Sequence, residues 1–309
     1  MTTTTGKFPS FAKINWYLEI LGKRPDGYHE VVTVLQTISL HDEITFTVDG
    51  EEGLLTLACD DASIPTGNRN LIIRAAVALW DCYQWAGKAD IKLTKRIPAQ
   101  GGLGGASSNA AVSLLALNVL WRKGSISIDE LLFRGFLGAD VPFFLTGGRC
   151  LATGIGTTLT ALPDGPKQYL IVITPNAKVS TANAYASLNA TSLTTSNSAS
   201  ILSSSLADLN SADSRQWPLR NDFERVIFEI EPEIERAKSA LLDAGAWGAL
   251  LAGSGSSVFG VFDDEVERDR ALKNLRGEAA WQVFSCHTLA RDDYFRAMNS
   301  SGFPLFTLS

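Results

Sequence analysis

The chain has 309 residues, 45% hydrophobic and 19% charged, which is typical of a globular protein with about two domains of ~100–200 residues each. Its net charge of −6 argues against a general binder of nucleic acid or of anionic membranes. Apolar stretches stop well short of the ~18–20 residues that span a bilayer, and the threonine-rich start lacks the apolar core of a signal peptide. The four cysteines form no CxxC pair, so zinc is disfavoured and reduced thiols are expected. We therefore expect a cytoplasmic protein that binds neither nucleic acid nor membranes, and the sequence makes no prediction of its oligomeric state.

The first part of the chain predicts strands, then helices. Hydrophobic periodicity predicts strands at residues 12–21, 31–40, 44–48, 55–58 and 89–97 and within 149–162, and helices at 70–85, 107–121 and 128–136. The strand at 44–48 is expected to pair with the one at 55–58. A Pro-Asp-Gly-Pro break at 163–166 predicts a domain boundary, giving an N-terminal domain 1–165 and a C-terminal domain 166–309.

The second part of the chain predicts another mixed unit. Its pattern predicts strands at 169–174, 258–262 and 281–289, helices at 224–244 and 265–275, and a flexible Ser/Thr-rich loop at 191–205. Because strands and helices segregate more than they alternate, the fold class is predicted to be α+β rather than a doubly wound sheet.

The most informative segment is a glycine-rich loop between a predicted strand and a predicted helix. Its glycines allow positive φ and close approach of a ligand, and the following helix offers free N–H groups to an anion. The segment is not a Walker A loop, which ends in Gly-Lys-Ser/Thr, and it lacks the spacing of a Rossmann fingerprint. The residues predicted to bind ATP are Pro98, Ala99, Gln100, Gly101, Gly102, Leu103, Gly104, Gly105, Ala106, Ser107 and Ser108, and Ser107 is also the candidate Mg²⁺ ligand.

Three separated motifs resemble those of the GHMP kinases, the superfamily of galacto-, homoserine, mevalonate and phosphomevalonate kinases. They are Ala-Lys-Ile-Asn at 12–15, the glycine loop, and Ala-Gly-Ser-Gly-Ser-Ser at 252–257. Further segments at 25–29, 137–145 and 221–224 resemble the 4-diphosphocytidyl-2-C-methyl-D-erythritol kinases, a family in the non-mevalonate route to isoprenoids. The chain departs from the pattern at Phe11, where proline is usual, and at Ala252, where serine is frequent; the tail after Arg291 matches no motif.

The resemblance implies a fold, an activity and a catalytic pair. The fold is a ribosomal-protein-S5-like N-terminal domain and a ferredoxin-like C-terminal domain, with the active site in the cleft between them. The activity is ATP- and Mg²⁺-dependent phosphorylation of the 2-hydroxyl of 4-diphosphocytidyl-2-C-methyl-D-erythritol. Asp140 is implied as the catalytic carboxylate and Lys13 as its partner. Asp140 either accepts the hydroxyl proton or mainly orients the hydroxyl, since positioning dominates phosphoryl transfer. Without the motif, Asp140 reads as a helix cap and Lys13 as a snorkelling lysine.

The resemblance also implies a site for the cytidine diphosphate substrate. Tyr28 stacks on the cytosine and His29 hydrogen-bonds its edge, and Tyr185 covers the other face. Thr181, four residues before Tyr185, shares a helix face with it. Asn15 contacts the erythritol part or its phosphate. Packing of an aromatic on a helix explains Tyr185 equally well without a ligand.

Several alternatives remain open at the level of sequence. Another GHMP activity, of the homoserine or mevalonate type, is disfavoured because those substrates have no base for Tyr28 and His29 to bind. A decarboxylating relative differs in its products. A catalytically silent ligand sensor would need neither Lys13 nor Asp140, and a nicotinamide-dependent enzyme is the weakest alternative.

Overall fold

The structure is a computed structural model that describes residues 3–84, 86–121, 137–188 and 219–306. The helix predicted at 128–136 and the Ser/Thr-rich segment 191–205 lie outside the described residues. The described residues form two sheets, of seven and of four strands. Within these ranges, no helix is long and apolar enough to cross a membrane.

The first sheet is dominated by one long antiparallel hairpin. Its central order is β3-β4-β2-β1-β8, and β5 pairs with β2 and β6. The strands predicted at 31–40 and 44–48 are one continuous strand, and the first strand begins eight residues earlier than predicted. The strands are β1 (Thr4–Lys23), β2 (His29–Glu52), β3 (Leu55–Cys59), β4 (Gly87–Thr94), β5 (Arg149–Thr153), β6 (Thr158–Ala161) and β8 (Arg220–Asn221).

The predicted pairing of 44–48 with 55–58 is wrong. Strand β4 lies between them, so that Ile91 pairs with Phe46 on one side and with Leu57 on the other. The alternating residues Ala89, Ile91 and Leu93 of β4 are all buried. Both edges of β4 are hydrogen-bonded, one to β2 and one to β3, so the two strands closest in sequence do not meet.

The helices begin and end at recognisable signals. Asn70 caps α1 by accepting a hydrogen bond from the Ile72 N–H at 2.9 Å. The helix predicted at 224–244 is two helices, because Pro232 has no N–H and starts a new helix. The helices are α1 (Leu71–Tyr83), α2 (Gly105–Trp121), α3 (Val141–Thr146), α4 (Thr181–Ser187), α5 (Glu224–Ile230), α6 (Pro232–Asp243), α7 (Glu265–Leu275) and α8 (Arg291–Met298).

The second sheet confirms the predicted ferredoxin-like unit. Its order is β11-β7-β10-β9 and every pair is antiparallel. With helices before β9 and between β10 and β11, this is the β-α-β-β-α-β arrangement of that fold. The strands are β7 (Tyr169–Pro175), β9 (Gly248–Leu251), β10 (Val258–Phe262) and β11 (Trp281–His287).

Three apolar cores hold the molecule together. One lies between the first sheet and helices α1 and α2, and one lies between the second sheet and helices α5 to α7. The third joins the two sheets, where Trp16 of β1 packs edge-on against Phe259 of β10 with 5.6 Å between ring centroids. This third core fixes the two sheets against each other along the inner side of the cleft between them.

The tail after Arg291 packs on the first unit. Leu289, Tyr294, Met298 and Leu305 are buried in the core beneath the first sheet. The last residues of the predicted domain 166–309 thus complete the core beneath the first sheet, and the domain bounds stay a prediction. The predicted boundary near 165 falls between β6 and β7, where the chain passes from one sheet to the other.

Candidate active site

The glycine-rich loop leads into α2, which begins at Gly105, two residues before the predicted start. The first hydrogen bond of this helix runs from the Ser108 N–H to the Gly104 carbonyl at 2.9 Å. The N–H groups of Gly105, Ala106 and Ser107 precede it, and the first N–H groups of a helix have no intrahelical partner. These N–H groups and the helix dipole favour an anion at this end of α2, and the predicted contact with ATP stays a prediction.

Two of the loop glycines are required by close packing. A Cβ on Gly102, whose φ is +74°, would lie 1.9 Å from the Ala252 carbonyl oxygen. A Cβ on Gly104, with φ +72°, would lie 2.8 Å from the Phe144 ring and 3.0 Å from Lys13 Cγ. A side chain at Gly102 would have to displace the Ala252 backbone, and one at Gly104 would have to displace the side chains of Phe144 and Lys13. These glycines therefore allow the loop to pack closely against Ala252 and Phe144, and they also leave the loop backbone accessible to a ligand.

The second Gly-Ser turn, residues 252–257, supports the loop from the other sheet. The N–H groups of Ser256 and Ser257 donate to the carbonyls of Gln100 and Gly101 at 3.3 and 3.2 Å. Asn221 fixes the turn in place, since its buried amide donates to the carbonyls of Leu251 and Gly253 at 2.8 and 2.7 Å. The Asn221 segment, which the sequence leaves without a role, is thus part of the scaffold beneath the loop.

The strand that enters the loop is held by a buried carboxylate. Asp42 is fully buried and lies 2.5 Å from the ammonium of Lys95. Asn109 of α2 donates to the same carboxylate oxygen as Lys95, at 3.2 Å, and the other oxygen accepts the N–H groups of Arg96 and Ile97, both at 2.8 Å. One side chain therefore orients both ends of the loop.

Lys13 and Asp140 come together as the sequence predicts. Lys13 Nζ lies 3.8 Å from Asp140 Oδ2, and the lysine side chain is 5% exposed whereas the aspartate side chain is 35% exposed. Asp140 stands at the start of α3, where Pro142 suits the first turn, and its carboxylate makes no capping hydrogen bond. The helix-cap alternative for Asp140 is therefore excluded, and the carboxylate is available to a ligand.

Asn15 acts on Lys13 inside the protein. Its amide oxygen accepts from Lys13 Nζ at 2.9 Å and its amide nitrogen donates to Thr33 Oγ1 at 2.8 Å. Asn15 is 2% exposed. The structure thus gives Asn15 a role in orienting Lys13, and its predicted contact with the substrate stays a prediction.

The predicted cytosine residues partly assemble. His29 stacks on Tyr185 with ring centroids 4.7 Å apart and planes inclined by 25°, and Phe223 packs edge-on against Tyr185 at 4.9 Å. Tyr28 lies on the turn before β2 and is 55% exposed. In this structure the imidazole covers one face of the Tyr185 ring, so a base held between Tyr28 and Tyr185 requires the His29 ring to move aside.

The environment of these rings shifts their pKa values. Burial, followed by the charge of Asp140, raises the pKa of Tyr185 to about 12, so this ring lies near the Asp140 carboxylate. Partial burial and then the positive charge of Lys23 lower the pKa of His29. Both groups are consequently neutral at pH 7 and present uncharged hydrogen-bonding edges.

Thr181 connects the aromatic residues to the second Gly-Ser turn. It starts α4, the helix that carries Tyr185, and the four-residue spacing predicted to lie on a helix does so. Its hydroxyl lies 2.8 Å from the hydroxyl of Ser254. The aromatic stack and the glycine loop are thus linked through residues 252–257.

A cleft of about 1460 Å³ runs along the outer side of the glycine loop between the two sheets. Residues 98–107 form its floor, and Asn176, Lys178 and Trp281 belong to the opposite wall. Four basic residues line it beside the carboxylates of Asp60 and Asp61, so the lining is net positive although the whole chain is acidic; they are Arg69, Lys95, Arg96 and Lys178.

Comparison with known proteins gives the same family throughout. The families described as GHMP kinases N terminal domain and GHMP kinases C terminal match residues 70–148 and 198–280. A 4-diphosphocytidyl-2-C-methyl-D-erythritol kinase of Geobacter metallireducens is 40% identical over 290 residues, covering 94% of this chain and 100% of the relative. The chain belongs to the 4-diphosphocytidyl-2-C-methyl-D-erythritol kinase family of the GHMP kinases.

Two further comparisons agree. A kinase with the same description from Solibacter usitatus is 40% identical over 289 residues, covering 91% of this chain and 89% of the relative. The crystal structure of a 4-(cytidine 5'-diphospho)-2C-methyl-D-erythritol kinase superposes with a TM-score of 0.76 at 30% identity, covering 91% of this chain and 98% of that one. As a GHMP kinase the chain is a phosphotransferase, and ATP is its phosphoryl donor.

Not every residue predicted to bind ATP fits a direct contact in this GHMP kinase. Ser108 is fully buried, its N–H is bonded to Gly104, and its Oγ accepts the Ser10 hydroxyl at 2.8 Å. Ser108 therefore stabilises the start of α2 from the buried side of the helix. Ser107 lies in the cleft wall, and its Oγ is 3.4 Å from the place a Cβ on Gly138 would take, two residues before Asp140.

Asp42, Lys95 and Asn221 escaped the sequence analysis of this GHMP kinase. Lys95 stands three residues before the glycine loop, and Asn221 lies within the segment 221–224 that resembles the family; these positions are the signals that pointed to them. Asp42 lies far from any motif in sequence, within β2, and carries no such signal.

Proposed function

We propose that the protein transfers the γ-phosphoryl group of ATP to the 2-hydroxyl of 4-diphosphocytidyl-2-C-methyl-D-erythritol, in the non-mevalonate route to isoprenoid precursors. The observation that supports this most is the position of the Lys13–Asp140 pair. It lies between the glycine loop, where phosphates bind, and the His29–Tyr185 stack, where a base binds. A nucleoside diphosphate carrying a sugar alcohol is the kind of substrate that spans these sites.

The loop and the surrounding cations hold the nucleotide. The backbone from Gly101 to Ser107 receives the phosphates, and the Ser107 hydroxyl is the protein's candidate ligand for Mg²⁺. In the described residues no group of three or more Cys, His, Asp or Glu side chains gathers to hold a metal, which suits an ion carried mainly by the phosphates. Bound ATP supplies the transferred group, and Mg²⁺ neutralises charge on its phosphates.

Asp140 and Lys13 have different roles in the transfer step. The Asp140 carboxylate faces the substrate hydroxyl and either orients it or accepts its proton as the new O–P bond forms. Lys13, held by Asn15, stabilises the negative charge that builds on the transferred group. Nearly complete burial of Lys13 makes this interaction stronger than it would be in water.

The cytidine end gives specificity. The exposed ring of Tyr28 and the ring of Tyr185 supply aromatic faces, and neutral His29 supplies a hydrogen-bonding edge that tells one base from another. We also propose that the protein works in the cytoplasm on this small molecule and does not bind nucleic acid, consistent with its net charge of −6.

The test is ADP release with ATP and Mg²⁺, comparing 4-diphosphocytidyl-2-C-methyl-D-erythritol with homoserine and mevalonate. Turnover of the cytidine compound alone supports the proposal. Turnover of another alcohol retains the kinase and discards the cytidine site. ATP binding without turnover of any alcohol favours a ligand sensor and overturns the proposed reaction.

A further inference from the structure

Two features of the sequence have no part in the function proposed above: Phe11, where the family usually has proline, and the tail that begins at Arg291. In the structure these two features meet. The ring of Tyr294 in α8 packs against the ring of Phe11 with centroids 5.6 Å apart. Phe11 is two residues before Lys13 on β1, so the tail contacts the strand that carries one catalytic residue.

The same tyrosine also contacts the helix that carries the other catalytic residue. The Tyr294 hydroxyl donates to the Phe144 carbonyl of α3 at 2.5 Å, across 150 residues of sequence. Phe144 follows Asp140 by four residues, and its own ring lies against Gly104 of the glycine loop. Tyr294 is 0% exposed, so this hydrogen bond is shielded from water.

Helix α3 depends on such outside contacts. It has six residues, too few for a helix to be stable by itself, and the carbonyls of its last turn lack intrahelical partners. Tyr294 satisfies the Phe144 carbonyl, and Arg291 Nε donates to the Thr146 carbonyl at 3.3 Å. A cation at the carboxyl end of a helix is also favourable for its dipole. The tail therefore supplies the end of α3 with its hydrogen bonds.

Two glycines allow α8 to pack closely against the backbone that follows α3. Gly147 and Gly148 follow α3 with φ of +62° and +65°. A Cβ on Gly147 would lie 2.3 Å from the Tyr294 ring, and a Cβ on Gly148 would lie 2.7 Å from Arg291 Cβ. Arg291 also donates to the Arg149 carbonyl at 2.8 Å. The backbone after α3 is thus fixed against α8 over several residues.

We propose that Tyr294 is a positioning residue for phosphoryl transfer, holding Phe11 and Phe144 so that Lys13 and Asp140 keep their 3.8 Å separation. The inference rests on the catalytic roles proposed for those two residues. Six helical residues span only about 9 Å, so a shift at the end of α3 is passed to Asp140. Misplacement of a reacting group by ~1 Å can reduce the rate by as much as ~100-fold.

The first test is kinetic and uses Tyr294→Phe, which keeps the ring and removes the hydroxyl. We expect kcat to fall about 5- to 50-fold while KM for ATP and for the cytidine substrate stays within about twofold, because the binding surfaces are untouched. Tyr83→Phe is the matched control, since it removes a hydroxyl bonded to Asn118 in the same core away from the site. The control should lose stability without losing kcat.

The second test does not depend on turnover. Lys13 and Lys95 are both nearly buried, with side chains 5% and 9% exposed, and each is paired with a carboxylate. Brief labelling with acetic anhydride, read by mass spectrometry, gives the ratio of their reactivities. In Tyr294→Phe we expect Lys13 to become several-fold more reactive relative to Lys95, whereas Tyr83→Phe should leave the ratio unchanged.

Two results would overturn the inference: an unchanged kcat in Tyr294→Phe, or a loss of kcat in which Lys13 and Lys95 become more reactive together, as in general loosening. If the wild-type protein turned over none of the alcohols, the proposed substrate would be wrong. The labelling ratio would then still decide whether Tyr294 positions Lys13.

Discussion

Asp42 offers the sharpest test of how the nucleotide loop is held. Asp42→Asn keeps the size of the side chain but removes its charge. The remaining oxygen can still accept from the N–H groups of Arg96 and Ile97, whereas the new amide directs hydrogens at the ammonium of Lys95 and at the amide of Asn109. The substitution thus leaves a nearly buried ammonium without its partner.

The expected cost follows from the burial of this pair. Removing one partner of a buried ion pair typically costs about 3–5 kcal/mol. Since whole proteins are stable by only about 5–15 kcal/mol, the loss is a large fraction of the total. Because residues 95–97 lead directly into the loop, we expect weaker ATP binding in the protein that remains folded.

Urea unfolding followed by tryptophan fluorescence, with ATP titration under native conditions, measures both effects. Asp90→Asn is the matched control, because Asp90 is an exposed carboxylate on β4 bonded to Thr56, and it should cost less than about 1 kcal/mol. In Asp42→Asn/Lys95→Met, which leaves no unpaired charge, the loss should be smaller than the sum of the two single losses by about 1–3 kcal/mol. A cost below 1 kcal/mol for Asp42→Asn, or strictly additive losses, would refute the reasoning.

Three further predictions concern the ligand sites. Asp140→Asn should abolish turnover and leave ATP affinity nearly intact; a variant that loses affinity for ATP but keeps its maximal rate contradicts the catalytic assignment. Tyr28→Ala should raise KM for the cytidine substrate about 5- to 150-fold, from stacking worth about 1–3 kcal/mol, with little effect on ATP, and equal effects on both would place the base elsewhere. Since the pKa of His29 is lowered by folding, the unfolded chain takes up the proton first as pH falls, so the free energy of unfolding should decrease below about pH 6.5. Urea unfolding from pH 7.5 to 5.5 should show a shallower decrease in the free energy of unfolding for His29→Gln than for the wild type. An identical decrease in both proteins would argue against protonation of His29 as its cause.

Local pattern predicted most elements of the second sheet because its signals are short-range. The strand Val258–Phe262 and the helix Glu265–Leu275 were both predicted with their observed bounds. The interpretation of Asp140 as a helix cap likewise placed it at a helix start, where the structure has it, although its side chain makes no capping hydrogen bond. In each case the residues that decide the structure are next to one another in sequence.

The rest depended on contacts between distant residues. Nothing near 44–48 shows that β4 will enter between it and β3, because strand pairing is decided by which faces become buried. Asp42 has no local motif, and its partners lie more than 50 residues away. The stacking of His29 on Tyr185 was not predicted either, since aromatic residues in a loop and on a helix carry no information about which pair will meet.

The hydrogen bonds from Ser256 and Ser257 to the glycine loop have a consequence for the order in which the chain matures. The loop is synthesised about a third of the way through translation, yet the groups that hold its carbonyls come some 150 residues later. A nascent chain on the ribosome therefore has no finished nucleotide site until its second sheet has formed. The neighbouring close approach of Gly102 to Ala252 couples these two positions, because a larger residue at 102 requires a displaced backbone at 252.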